Sequence, residues 1–244
     1  MKPLARPSTR HVYLAPAYVL HQHPYRDTSR IVEVFTHDQG RLALFARGAN
    51  GSKSSLKSVL RPFQRLLVSW SGRGEACQLV SAEIDGAATA LPNRRLMSGF
   101  YLNELLLKLT ERCDPHPEIF VAYSACVGAL AGGADEEEHL RRFEKRLLDN
   151  LGYGLELART SDGDPVAADG YYRFQAQRGP QPCVADAPGA VYGRSLADLE
   201  AERFADARSL KDAKRVLRAA LDTCLDGRAL KSREVMLAMR RRAP

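Results

Sequence analysis

Between residues 11 and 85 the apolar positions come in short runs bounded by polar, glycine-bearing segments. Five runs have strand character: Val12 to Tyr18, Ile31 to Phe35, Leu42 to Ala46, Leu66 to Trp70, and Gln78 to Ile84. His37-Asp38-Gln39-Gly40 reads as the turn between the second and third runs, with Gly40 supplying the positive φ that a tight hairpin needs. Gly48 to Ser55 is a polar loop between the third and fourth, and Ser71-Gly72-Arg73-Gly74 separates the fourth from the fifth. Five short strands in roughly 75 residues predict a small closed barrel.

After residue 90 the spacing turns helical. Met97, Phe100, Tyr101, Leu105 and Leu109 recur at three- and four-residue steps over Leu96 to Thr110, and Ile119 to Leu130 is a second helical stretch. A third follows the acidic run Asp135 to Glu138, with Leu140, Phe143, Leu147 and Leu151 in one stripe and Gly152 and Gly154 closing it. A long amphipathic helix covers Lys211 to Leu225, its inward positions being Ala213, Val216, Leu217, Ala220, Leu221 and Cys224. Thr160 to Gly193 lacks helical period and is rich in Gly, Pro and Asp, so it reads as an irregular, partly β insertion. The fold class is therefore α+β: a barrel domain over 1–85, and a helical domain over 86–244 with an insertion at about 160–193. Among small barrels the five-stranded OB fold fits, and it commonly binds nucleic acid along one face and its loops.

Composition adds that 244 residues, 45% of them hydrophobic, bury a core without staples. The five cysteines (Cys77, Cys113, Cys126, Cys183, Cys224) are scattered and never form C-x-x-C, which argues against a disulfide framework and a zinc site and suits a reducing cytoplasm. The N-terminal apolar stretch is interrupted by Pro16, His21 and His23, so neither a signal peptide nor a membrane span is expected.

Charge is segregated. Net values are +6 over residues 1–85, −5 over 86–210 and +6 over 211–244. The 34 residues from Arg41 to Gly74 hold Arg41, Arg47, Lys53, Lys57, Arg61, Arg65 and Arg73 and no Asp or Glu. A polyanionic partner explains such a stretch; the competing reading is a solvated surface neutralised from elsewhere in the fold. The candidate DNA-binding set is those seven cations plus Phe45, which is opposite in phase to Leu42 and Leu44 and so faces outward for base stacking. Trp70 continues the alternation of Leu66 and Val68 and belongs to the core, while Tyr25 lies in a loop. A possible second DNA-binding group is Lys211, Lys214, Arg215, Arg218, Lys231 and Arg233; it reads equally as a solvated helix face with a disordered Arg240-Arg241-Arg242 tail.

Catalytic signatures are missing. The chain has no G-x-x-x-x-G-K-S/T phosphate loop, no G-x-S-x-G elbow and no H-E-x-x-H, so the chain reads as a non-enzyme with no cofactor and no metal. His21 and His23 share a strand face, yet two ligands do not make a zinc site. Asp135 to Glu138 serve the first turn of a helix better than they serve a metal.

Several segments resemble proteins of the RecO family, in its proteobacterial branch. They are Ala17-Tyr18-Val19-Leu20, Pro24 to Ser29, Val34-Phe35-Thr36, Gly40-Arg41, Ala46 to Ala49 with Lys53, Leu56 and Lys57, and Arg61-Pro62-Phe63. Further on come Ser71 to Glu75, Ser81-Ala82-Glu83, Tyr101 to Leu105, Leu140 to Glu144, Leu151 to Gly154, Ala213-Lys214-Arg215 and Leu230 to Glu234. The resemblance implies an N-terminal OB domain, a helical C-terminal domain and a recombination mediator in DNA repair. Such a protein binds single- and double-stranded DNA, anneals complementary strands, contacts the single-stranded DNA-binding protein (SSB) and RecR, and through them promotes RecA loading in the nucleoid. Many relatives carry a four-cysteine zinc module in the insertion, where this chain has only Cys183, so no structural zinc is expected. The SSB tail, acidic and ending in an apolar aromatic residue, would take a pocket at Leu140, Arg141, Arg142 and Phe143, with Arg141 on its terminal carboxylate; alternatively both arginines pair with Asp135 to Glu138. The alternative function is an OB-fold RNA-binding accessory protein of translation or ribosome assembly, and a third is a metal-dependent nuclease gripping DNA with the barrel.

Overall fold

The computed structural model describes residues 11–51, 54–204 and 206–242. It divides into two compact units, Met1–Val127 and Gly128–Pro244.

In the first unit, strands β1 (His11–Tyr25), β2 (Ser29–Thr36), β3 (Gly40–Ala46), β4 (Arg65–Ser71) and β5 (Ala76–Ile84) close a barrel in the order β1-β2-β3-β5-β4. Every pairing is antiparallel except β3 with β5. This is the OB arrangement read from the five runs. Strand β1 is longer than its apolar run because it serves two neighbours: Ala17 to Tyr25 pair with β2, and His11 to Tyr18 pair with β4. Its register slips between Val12 and Ala15, where Leu14 takes φ 50°, and again between Val19 and His21; such bulges re-aim side chains and add the twist that closure requires.

Alternation along the strands decides the core. Ala17, Val19, Val32, Val34, Leu42, Leu44, Leu66, Val68, Trp70 and Leu79 point inward and are buried together, so Trp70 fills the barrel. A one-turn helix α1 (Leu56–Val59) between β3 and β4 adds Leu56, Val59 and Leu60 to that cluster. Gly40 opens β3 at φ +65°, and a Cβ there would lie 2.1 Å from the carbonyl oxygen of Asp114, so both conformation and space demand glycine.

After a 3-10 turn (Asn93–Arg95), helices α2 (Leu96–Leu109) and α3 (Pro117–Gly132) follow. They cover part of the barrel's outer surface: the rings of Tyr18 and Phe35 meet Phe120 at a tilt, and Tyr18 meets Tyr123 edge-on. The polar groups brought in with these rings are satisfied. Tyr123 donates to Asn103 Oδ1 (2.6 Å), Asn103 donates to the Leu20 carbonyl (2.9 Å), and the Tyr18 and Ser124 hydroxyls share a hydrogen bond (2.8 Å).

The second unit holds α4 (Glu136–Asn150), the small sheet β7-β6-β8 made from β6 (Tyr171–Gln175), β7 (Gly179–Pro182) and β8 (Ala190–Tyr192), then α5 (Gly193–Glu200), α6 (Ala207–Leu225) and α7 (Lys231–Arg242). Asp135 caps α4 by accepting from the Glu138 amide at 2.8 Å. The insertion is thus a three-stranded sheet with turns. Helix α6 starts a turn before Lys211 because Asp206 and Ser209 form a capping box. Residues 240–242 belong to α7. The apolar stripes of α4 and α6 face each other, and α5 packs against α6. Among the described residues no helix is long and apolar enough to cross a membrane.

Candidate nucleic-acid interface

The outward parity of β2 and β3 presents Ile31, Glu33 and Phe35, and Arg41, Ala43 and Phe45. One end of this face is occupied. Phe35 is buried against Phe120, Arg41 donates to Glu33 (2.6 Å) and to the Thr110 carbonyl (2.9 Å), and Arg112 donates to the same Glu33 (2.8 Å). The Glu33 hydrogen bond, followed by its charge, holds the Arg112 pKa above the ordinary value. With 13% of its side chain exposed, Arg41 acts as a strut between the barrel and the end of α2, and its charge is already met by a carboxylate.

The other end is open. Phe45 lies across from Ile31 on β2 and Gln78 on β5, and the edge of the Tyr25 ring meets it at 5.2 Å and 86°. The guanidinium of Arg26 lies over Tyr25 (5.3 Å) and that of Arg47 over Phe45 (5.9 Å). Gln78 donates to the Phe45 carbonyl at 2.7 Å and steadies this end of β3. His21 and His23 are exposed on β1, ring centroids 6.1 Å apart. Two rings each topped by an arginine, at the mouth of a barrel, combine the flat apolar surface that bases need with the cations that phosphates need.

Loops carry the rest of the charge. Arg26 is in the β1–β2 loop with Asp27, and Arg73 is exposed in the β4–β5 loop; these two loops, with the face of strands 2 and 3, are where OB folds hold oligonucleotides. Lys57 is exposed on α1, which packs near β5, and Arg61 is exposed just beyond it. Arg65, on β4, is paired with Asp85 at 2.6 Å and remains partly exposed. Lys53 lies outside the described residues. Arg30 ties the β3–α1 loop to β1, donating to Asn50 Oδ1 (2.9 Å) and to Gln22 Oε1 (2.9 Å). Of the candidates named from sequence, Phe45, Arg47, Lys57, Arg61 and Arg73 present their side chains at the surface or its edge, whereas Arg41 does not. Arg26 was not among those candidates. Its signal was available in the Tyr25-Arg26 pair at the tip of a hairpin, since an aromatic followed by a cation in that loop is a stacking element.

The second basic group is more heavily paired. Lys214 meets Glu137 (2.6 Å), Arg218 meets Asp222 (3.7 Å), Arg233 also bonds Asp222, and Arg215 donates to the Ala190 carbonyl. Lys211 and Lys231 are exposed. The tail-pocket candidates lie on α4, and both of their arginines meet carboxylates of the acidic run that opens it. Leu140 and Phe143 are buried with Leu147 because the stripe faces the domain interior. Arg141 is 4% exposed and donates to Glu144 (2.6 Å), itself 2% exposed, with Glu137 at 3.8 Å. Arg142 meets Glu138 (2.7 Å) and Glu202 (3.4 Å) and lies over Phe204. In this arrangement Leu140 and Phe143 are core side chains. Among the described residues no three His, Cys, Asp or Glu side chains converge as a metal-binding group.

Fold and surface together define an OB-barrel protein with an appended helical domain. Residues 11–86 match the family model "Recombination protein O N terminal" and residues 93–234 match "Recombination protein O C terminal". The chain is 45% identical over 228 residues to the DNA repair protein RecO of Azoarcus sp. (strain BH72), covering 90% of this chain and 93% of that protein. It is 42% identical over 226 residues to the DNA repair protein RecO of Dechloromonas aromatica (strain RCB), with the same coverage, and 44% identical over 227 residues to that of Alkalilimnicola ehrlichii, covering 91% and 90%. The chain belongs to the RecO family.

Proposed function

We propose that the chain acts in DNA repair as a recombination mediator without catalytic chemistry, binding single- and double-stranded DNA on the open end of the barrel and annealing complementary strands. The observation that carries this reading is the Tyr25–Phe45 pair, each ring topped by an arginine and flanked by loops that hold further cations. Stacking on such rings tolerates any base, and lysine or arginine contacts to phosphate release counterions whatever the sequence, so the surface suits a protein that must act at any gap. Annealing breaks no covalent bond. It requires that phosphate repulsion between two strands be lowered, which is what these cations supply.

Likeness to the family supports SSB, RecR and, through them, RecA as the proposed partners, with action proposed at the nucleoid in the cytoplasm. The buried Arg141–Glu144 pair constrains how the SSB tail docks: its terminal carboxylate reaches Arg141 only if Glu144 yields. The test is annealing of complementary strands coated with cognate SSB. The expected result is that the chain speeds annealing and, with RecR, shortens the lag before RecA filaments form, while labelled DNA incubated with Mg²⁺ or Mn²⁺ stays intact. Cleavage abolished by chelation, or binding to RNA with no annealing of DNA, would overturn the reading.

A further inference from the structure

A second aromatic and basic surface lies in the other unit, on side chains that the barrel site does not use. In the small sheet, Tyr171 on β6 stands opposite Tyr192 on β8 and Arg173 stands opposite Ala190, so the two tyrosines and Arg173 share one face. The rings are 5.4 Å apart, and Arg208, on the first turn of α6, lays its guanidinium 4.2 Å over Tyr192 and 5.5 Å from Tyr171. Half of the Arg208 side chain is exposed. Helix and sheet are fixed to each other here: buried Asp212 accepts from the Tyr192 amide (3.1 Å), and Arg215 donates to the Ala190 carbonyl. Positions 208, 211 and 215 follow the three- and four-residue steps of one helix face, so exposed Lys211 and half-exposed Arg215 continue from Arg208 along α6. The acid inside this face, Asp212, is 6% exposed, accepts from the β8 amide, and lies 3.9 Å from both Arg208 and Arg215, so Lys211 and Arg173 carry the charge it does not meet.

From this juxtaposition we infer that the face of Tyr171, Tyr192 and Arg208, with Lys211 and Arg173, is a second binding surface for single-stranded DNA. The inference rests on the proposed DNA-annealing role and assigns the strand it needs beyond the one on the barrel. A base extends the stack by lying on the outer plane of the Arg208 guanidinium, as bases do on arginine as well as on rings, while phosphates meet Lys211 and Arg173. Duplex DNA, whose bases are already stacked, uses the cations but not the rings. The surface therefore prefers single strands.

The experiment uses the full chain and a single-stranded oligonucleotide carrying 5-iodouracil, cross-linked by long-wavelength light and mapped by mass spectrometry. Adducts are expected on barrel peptides and on the peptide holding Tyr171 or Tyr192. Exchanging Arg208 and Lys211 for Ala should leave the barrel adduct and the affinity for one short strand within about twofold. The same change should lower the Tyr171 or Tyr192 adduct and the annealing rate by about tenfold, the size of one lost stacked base. Tyr171→Phe keeps the adduct, because stacking needs the ring, whereas Tyr171→Leu lowers it. Adducts confined to residues 11–86, with annealing unchanged in the double variant, would overturn the inference and leave the barrel reading standing; so would capture of an acidic peptide with no uracil adduct at either tyrosine. No adduct anywhere on the chain would overturn both.

Discussion

Arg141→Ala is expected to destabilise the helical domain far more than an ordinary loss of a surface charge. Arg141 is 4% exposed and Glu144 2%, with 2.6 Å between their nearest atoms. Removing the cation leaves a desolvated carboxylate without its ion-pair partner, a change that costs about 3–5 kcal/mol for buried pairs. Glu137, 3.8 Å from Arg141 and 43% exposed in its side chain, is solvated already and contributes little. Because attraction within a buried pair roughly offsets its desolvation, Arg141→Met combined with Glu144→Leu should recover most of the loss. An internal control is Arg218→Ala, which breaks an exposed pair with Asp222 and should cost less than about 1 kcal/mol. Urea unfolding followed by circular dichroism reads all three variants against the parent, and in a thermal scan the Arg141→Ala midpoint should fall by about 6–20 °C. If Arg141→Ala and Arg218→Ala cost the same, the pair is not the buried device described and its arginine is free for a ligand.

Gly40→Ala should cost about 2–4 kcal/mol, from a left-handed backbone plus a Cβ driven against the Asp114 carbonyl, and a urea midpoint within error of wild type would contradict this. Burial raises the Tyr123 pKa well above the ordinary tyrosine value, and burial raises that of Tyr18 as well. Both rings therefore keep their protons when folded, so their contribution to stability should be constant below about pH 10 and fall above it, as the unfolded chain releases protons that the folded chain retains. Tyr123→Phe should make that fall shallower, and a urea midpoint unchanged from pH 8 to pH 11 in the parent would refute the assignment. Protein purified without added metal should hold clearly less than one zinc per chain and melt identically with chelator; stoichiometric zinc would point to ligands around Cys183.

Much of the architecture was legible because it rests on period. Alternation at Leu42, Leu44 and Ala46 against Phe45 set inside from outside on β3, and the stripe of Leu140, Phe143 and Leu147 marked the buried side of α4. What escaped depends on neighbours distant in sequence. Nothing local shows that Arg41 meets Glu33 and the end of α2, so its charge looked available. Arg141 looks locally like a cation available to a carboxylate, yet Glu144, three residues further along the helix, is buried with it. The start of α6 was recoverable from Asp206 and Ser209, a polar pair three residues apart before an amphipathic run. Helix α7 was not, since its exposed Val235, Leu237 and Met239 follow no single face. Tyr171 and Tyr192, 21 positions apart, meet only through the register of a sheet whose strands are as short as three residues.

The claim that DNA lies on the open end of the barrel is tested most directly by the salt dependence of single-stranded DNA affinity. Fluorescence anisotropy with a labelled oligonucleotide, repeated over a range of NaCl concentrations, gives the slope of log affinity against log salt for the parent and for Arg47, Lys53 and Lys57 changed together to Ala. Each phosphate contact removed should lower the slope by about 0.7, so the triple variant should lose about 2 and bind every sequence more weakly. A triple variant with the parent's slope and affinity would place the DNA elsewhere on the protein.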